Sequence, residues 1–387
     1  MAIGRNALYF EDYVLSIQYF NQVINAKPYL SDPYFYRGLA KINLDDFQGA
    51  ESDCSEAIER NPFVVSAYQV RGLARIQQNN FAGAIEDYTK ALEFDPENIG
   101  VWHNMALCRI RQEDYKGAKN DLDKLIAISP RYTKAYLMRG EVDLKQKDTL
   151  AAEKDFGKAI EIDRYDADTW ASRAILRLQQ QRYKDAEADF DHAIRLSTRN
   201  SGVYINRALA RYHQNNLRGA MSDYDIALDI DPNNFIGHYN RGLLRAQVGD
   251  DNRAIQDFNF VIEMEPDNMM AIFNRGLLLD QTGDYKGAIK DYSTVINEYP
   301  NFLLGYQYRA QARRKIGDVK GADADEFKVL KAQLDKQNGV DPNKQTADNT
   351  ENNKTRKKSD KNMNNYRKIV VADNEEGEEK YKSDYRG

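Results

Sequence analysis

The chain has 387 residues, 42% of them hydrophobic and 30% charged, with a formal net charge of −5. That mix is soluble and foldable. The acidic balance speaks against a phosphate-backbone partner, no apolar run is long enough to span a bilayer, and Met1 to Tyr9 has no apolar block such as a secretory leader needs.

Residues 1–30 hold one intact helical stretch, Tyr13 to Lys27, behind a stretch too short to carry its own aromatic anchor. They read as an N-terminal half unit or cap, or as the remnant of a longer chain. From residue 31 a period of 34 takes over. Seven of the nine prolines (Pro28, Pro62, Pro96, Pro130, Pro232, Pro266 and Pro300) fall on one ladder, with Arg164 and Thr198 on the missing rungs. Proline lacks the N–H that a helix interior needs, so each rung marks a helix end. An alanine column (Ala50, Ala84, Ala118 and onward), a Gly/Ala column (Gly38, Gly72, Ala106, Gly140 and onward) and two columns of large residues keep the same period. Within a unit the apolar spacing is helical. Turn formers such as Asp45-Asp46, Asn79-Asn80 and Gly249-Asp250 divide it in two, while Lys147-Asp148-Thr149 is a poorer turn. Each unit is therefore an αα-hairpin that covers its apolar face only by stacking on its neighbours. Nine full units follow: 31–64, 65–98, 99–132, 133–166, 167–200, 201–234, 235–268, 269–302 and 303–336. Glycine inside a helix costs about 1 kcal/mol relative to alanine, so its recurrence points to close approach of two helices. Cys54 and Cys108, the two cysteines, stand at core positions of their units and read as small buried hydrophobes.

Two charged columns run alongside. Arg37, Arg71, Arg207 and Arg241, with their counterparts at Arg139, Arg173, Arg275 and Arg309, lie as far before the turn as Asp53, Asp87, Asp223 and Asp257 and their counterparts lie after it. Antiparallel helices bring such positions together, so the columns read as an Arg–Asp clasp inside each hairpin rather than as a ladder of charges for a ligand. Met105 interrupts the arginine column. A second set, Arg75, Arg109, Arg177, Arg211, Arg245 and Arg313, either shares the same carboxylates or forms a solvated rim.

The columns (aromatic, Gly/Ala, Ala, aromatic, Ala, Pro at a period of 34) resemble the tetratricopeptide repeat, in a form similar to bacterial repeat proteins, over residues 31–336 and the half unit before them. The resemblance implies an all-α fold, a right-handed superhelical solenoid of stacked αα-hairpins whose first helices line a concave face that receives extended peptides. It places Asn104, Asn206, Asn240 and Asn274 on that face, where an amide can both donate to and accept from a peptide backbone. Ile205, Tyr239 and Phe273 lie beside them as apolar candidates for the same patch. The family's clamp for chaperone tails is absent: its first-lysine position carries Phe35, Gln69, Leu137, Ala171 and Ile205.

Residues 337–387 change character to Asn, Lys, Asp and Glu and are expected to form a disordered polar tail. A basic run from Lys354 to Lys368 is followed by Ile369-Val370-Val371 and an acidic run from Asp373. The four histidines have no metal-ligand spacing, the glycines form no phosphate loop, and no nucleophile elbow is present. The expectation is a protein–protein interaction scaffold that binds an extended peptide or protein segment in the concave groove, with no catalysis, metal or cofactor. Nucleic acid is disfavoured and self-association is open. The alternatives are an assembly component acting through its convex face or C-terminal tail, or the regulatory arm of an enzyme whose catalytic part lies outside this chain. The cytoplasm is the default compartment, or a bacterial periplasm or envelope if the N-terminus is cropped.

Overall fold

The computed structural model describes residues 1–196, 199–340 and 363–369. Among them are twenty α-helices, one 3-10 turn and no strand. The chain divides into two compact units, Met1–Leu176 and Arg177–Glu375. The first holds α1 (Ala2–Tyr9), α2 (Tyr13–Ala26), α3 (Asp32–Ile42), α4 (Phe47–Arg60), α5 (Val65–Gln77), α6 (Phe81–Phe94), α7 (Ile99–Arg111), α8 (Tyr115–Ile128), α9 (Thr133–Lys145) and α10 (Thr149–Ile162). The division falls within α11 (Ala167–Gln179). The second unit continues with α12 (Tyr183–Arg195), α13 (Ser201–His213), α14 (Leu217–Ile230), α15 (Phe235–Gln247), α16 (Asp251–Met264), α17 (Met269–Gln281), α18 (Tyr285–Glu298), α19 (Leu303–Lys315) and α20 (Val319–Gln337). The 3-10 turn is Met363–Asn365. In each unit successive helices pair as antiparallel hairpins, and each hairpin packs on the next, giving an all-α solenoid.

The turns follow one rule. The residue before each cap is left-handed: Asp45, Asn79, Glu113, Lys147 and Asn215 have φ near +60°, and Gly249, Gly283 and Gly317 lie between +80° and +94°. The weak turn at Lys147 thus adopts the same conformation as the others, with a side chain that disfavours it. The next residue caps the second helix. Asp46, Asn80, Asp114, Asn216, Asp284 and Asp318 each accept from the N–H of a glycine three residues on. At the far end, the aromatic column ties the first helix to the rung six residues before it. Tyr34, Tyr68 and Tyr136 donate their hydroxyls, and Trp102 its indole N–H, to the carbonyls of Pro28, Pro62, Pro130 and Pro96. His238, at the same position, has Nε2 2.9 Å from the Pro232 carbonyl and Nδ1 3.0 Å from Asp257.

Close approach explains the glycine column. A Cβ at Gly140 would stand 2.6 Å from the Phe156 ring, at Gly72 2.8 Å from Tyr88, and at Gly38 3.1 Å from Cys54 Sγ. Cys54 and Cys108 are buried and unbonded to one another.

The arginines do more than close their own hairpin. Arg37 donates to both oxygens of Asp53 at 2.8 and 2.6 Å, and its remaining nitrogen reaches Asn21 on the preceding hairpin at 2.7 Å. Arg207 grips Asp223 at 3.0 and 2.7 Å and Asp191 of the hairpin before at 2.8 Å. Arg241 does the same with Asp257 and Asp225, and Arg71 with Asp87 and Ser55. The second arginine set shares these carboxylates: Arg75 reaches Asp87, Arg211 reaches Asp223 and Arg245 reaches Asp257. Arg75 and Arg211 also bridge back to Glu51 and Glu187. Asp53, Asp87, Asp223 and Asp257 are thus hubs of networks that join neighbouring hairpins.

The electrostatics differ from hub to hub. Burial pushes the Asp223 carboxyl up against the pull of Arg207 and Arg211. At Asp257 burial acts the same way, but His238, Arg241 and Arg245 outweigh it and hold the carboxyl below its usual range. Asp121 has Met105 where its partner arginine would stand and is paired instead with Arg109, at 2.8 Å. Burial wins there and pushes its pKa up to about 6.

Residues 363–369 depart from the expected disordered tail: they form a turn whose Met363 and Tyr366 are buried. The remainder of that tail, with most of its basic run and all of its acidic run, lies outside the described residues. Gln337 belongs to α20.

Candidate functional site

Helices α15, α17 and α19 run side by side as the first helices of three consecutive hairpins in the second unit. Tyr239 on α15 and Asn274 on α17 converge at the turn Met363–Asn365. The Tyr239 hydroxyl and the Asn274 amide each donate, at 2.7 Å, to one acceptor, the main-chain carbonyl of Tyr366. The second amide proton of Asn274 goes to the Met270 carbonyl at 2.9 Å, which fixes the direction of the first. The two donors stand 3.3 Å apart. A carbonyl has two lone pairs, and here both are occupied by side chains that a rigid helix pair holds in place. Burial raises the Tyr239 pKa, with Asn274 pulling weakly the other way, so the phenol stays a neutral donor.

Around this polar point the surface is apolar. The Phe273 ring meets Tyr366 edge-on at 4.8 Å and Phe302 at 5.0 Å. Tyr308 and Tyr292 stand 5.9 and 5.6 Å from it. Met363 and Tyr366 join one cluster with Met269, Ile272, Phe273 and Phe302. The guanidinium of Arg367 lies 5.3 Å from the Tyr366 ring. Lys315 of α19 pairs with the buried Asp280 of α17 at 2.8 Å. The site can hold a short peptide turn by its backbone and two apolar side chains. It offers no cluster of ligating side chains that could hold a metal ion among the described residues.

The structure divides the sequence candidates. Tyr239, Phe273 and Asn274 come together at this point. Asn104, Asn206 and Asn240 are buried, and Ile205 is fully buried in a core shared with Leu244 of the next hairpin. Val70 and Met138, at the same register as these asparagines, are buried as well. Tyr308, at the same register one hairpin after Asn274, flanks Phe273. The arginines of the clasp residues Arg37, Arg71, Arg207 and Arg241 are engaged by Asp53, Asp87, Asp223 and Asp257 and by the preceding hairpin. Met363 and Tyr366 escaped the sequence reading. Their signal was a pair of apolar residues three apart in an otherwise polar stretch.

Models of the tetratricopeptide repeat match residues 99–132, 133–166, 172–235 and 239–301, and a further repeat model of the same kind matches 72–108. No curated protein matches the sequence. Among solved structures, a tetratricopeptide repeat protein from Parabacteroides merdae aligns with a TM-score of 0.51 at 21% identity, over 64% of this chain and 98% of its own. The C-terminal part of a repeat-containing protein from Cytophaga hutchinsonii aligns with a TM-score of 0.51 at 18% identity, over 61% of this chain and 97% of its own. At these identities the likeness is one of fold.

Proposed function

The chain belongs to the tetratricopeptide repeat family, and from that premise we propose that it is a protein-interaction scaffold whose second unit binds a peptide segment of a partner in the groove at Tyr239, Phe273 and Asn274. The observation that carries this reading is the double donation to one backbone carbonyl beside an aromatic wall. Main-chain recognition supplies affinity for peptides in general, and the apolar wall supplies preference among them. The charged columns are spent on holding the stack together, so they are the frame of the site and not its ligand contacts. No step of chemistry is assigned to the groove.

Selection of a displayed peptide library on the full chain tests this. Enriched peptides are expected to bind Asn274→Ala more weakly, by about 5- to 30-fold, the worth of about 1–2 kcal/mol for a lost hydrogen bond. Peptides that bind the wild type and the variant equally, with helicity unchanged in the variant, would place the binding surface elsewhere.

A further inference from the structure

We propose that Met363–Tyr366 is the groove's own resident occupant, a built-in competitor that a partner must displace, and that the displacing partner is a peptide with a long apolar side chain three residues before an aromatic one. This rests on the groove reading above.

The turn has the features of a ligand. A 3-10 turn brings residues three apart onto one face, and here Met363 and Tyr366 face inward, 5% and 7% exposed, while Asn364, Arg367 and Lys368 face out. The turn is closed by Tyr366 N–H to Met363 O and Lys368 N–H to Asn365 O. Its one carbonyl aimed at the groove receives both donors. From 341 to 369 the sequence is almost wholly polar, and Met363, Tyr366 and Ile369, spaced by three, are its large apolar residues. A tail selected only for solubility has no use for such a triplet; a docking segment does. The outward cations are not read by the groove, so the preference rests on the apolar pair and the carbonyl.

The connection gives the competitor its strength. Residues 338–362 stand between the end of α20 and the turn in the same chain, so docking of the turn is intramolecular. A covalently linked segment of this kind acts at an effective concentration of about 1 mM. A segment with an intrinsic Kd of about 0.1 mM would then occupy the groove in about ten of eleven molecules, and an outside peptide would bind about tenfold more weakly than to a vacated groove.

The test uses the full chain throughout. A fluorescein-labelled synthetic peptide covering Met363–Ile369 is titrated by anisotropy against the wild type and against Met363→Ser/Tyr366→Ser. These substitutions leave every helix untouched, which far-UV circular dichroism checks. The expected result is binding about tenfold tighter to the double variant, abolished when Tyr239→Phe/Asn274→Ala is added. Equal affinity for the two chains overturns self-occupancy and leaves the groove reading standing, and so does failure to bind either chain while library-selected peptides still bind through Asn274. Binding that survives Tyr239→Phe/Asn274→Ala overturns the groove reading itself, because the peptide then sits elsewhere. A concentration-dependent dimer of the wild type that the tail variant loses overturns occupancy within one chain and seats the tail on a second copy.

Discussion

The same substitution made at two glycines seventeen residues apart should change stability in opposite directions. Gly140 lies in α9 and Gly157 in α10, the two helices of one hairpin. In both places alanine gains up to about 1 kcal/mol of helix propensity. At Gly157 a Cβ meets nothing within 4 Å, so the gain is kept. At Gly140 the Cβ stands 2.6, 2.9 and 3.2 Å from three atoms of the Phe156 ring. Phe156 is fully buried and has nowhere to go, so the ring or the helix must shift. Overpacking of that kind costs about 1–3 kcal/mol, and set against the propensity gain it leaves a net loss of up to about 2 kcal/mol. Urea melts of the two variants, followed by circular dichroism, should move to either side of the wild type. A Gly140→Ala midpoint at or above that of Gly157→Ala would refute close packing as the reason for the glycine column.

Met105→Arg restores the missing partner of Asp121. A carboxyl whose folded pKa stands above its unfolded one favours folding while protonated, and that contribution is lost as pH rises from about 4 through about 6. The variant should flatten this loss, seen as a smaller fall in melting temperature between those pH values. Tyr224→Phe removes a buried hydroxyl that has no hydrogen-bond partner among the described residues, in a column that carries Phe at 156, 190 and 258; a gain of about 1 kcal/mol in a urea melt is expected. Asp223→Ala takes the hub from Arg207 and Arg211, which keep Asp191 and Glu187, and should cost about 3 kcal/mol by the same measurement.

The hairpins were legible because each structural demand recurs: the left-handed turn residue, the cap and the close-contact glycine repeat down the chain, and one misfit such as Lys147 does not hide the column. The arginine pairing was legible within a hairpin because symmetry about the turn predicts it. Its extension to Asn21, Ser55, Asp191 and Asp225 was not, since a link between hairpins depends on how they stack. The groove was half legible. Asn206, Asn240 and Asn274 are equivalent in sequence, but position in the stack decides their environment: Asn274 reaches the turn, and Asn240 lies fully buried one hairpin earlier. Nothing local to Asn274 announces a partner 92 residues away, and Met363-x-x-Tyr366 is too short a pattern to stand out beside a long run of charge.

The most direct test of the groove is hydrogen exchange of the full chain, with and without a saturating library-selected peptide. The account predicts changes confined to the first helices α15, α17 and α19 and to residues 363–369, with exchange at 363–369 rising as the turn is displaced. Changes confined to the second helices α16 and α18, or to the first unit, with 363–369 unaltered, would contradict it.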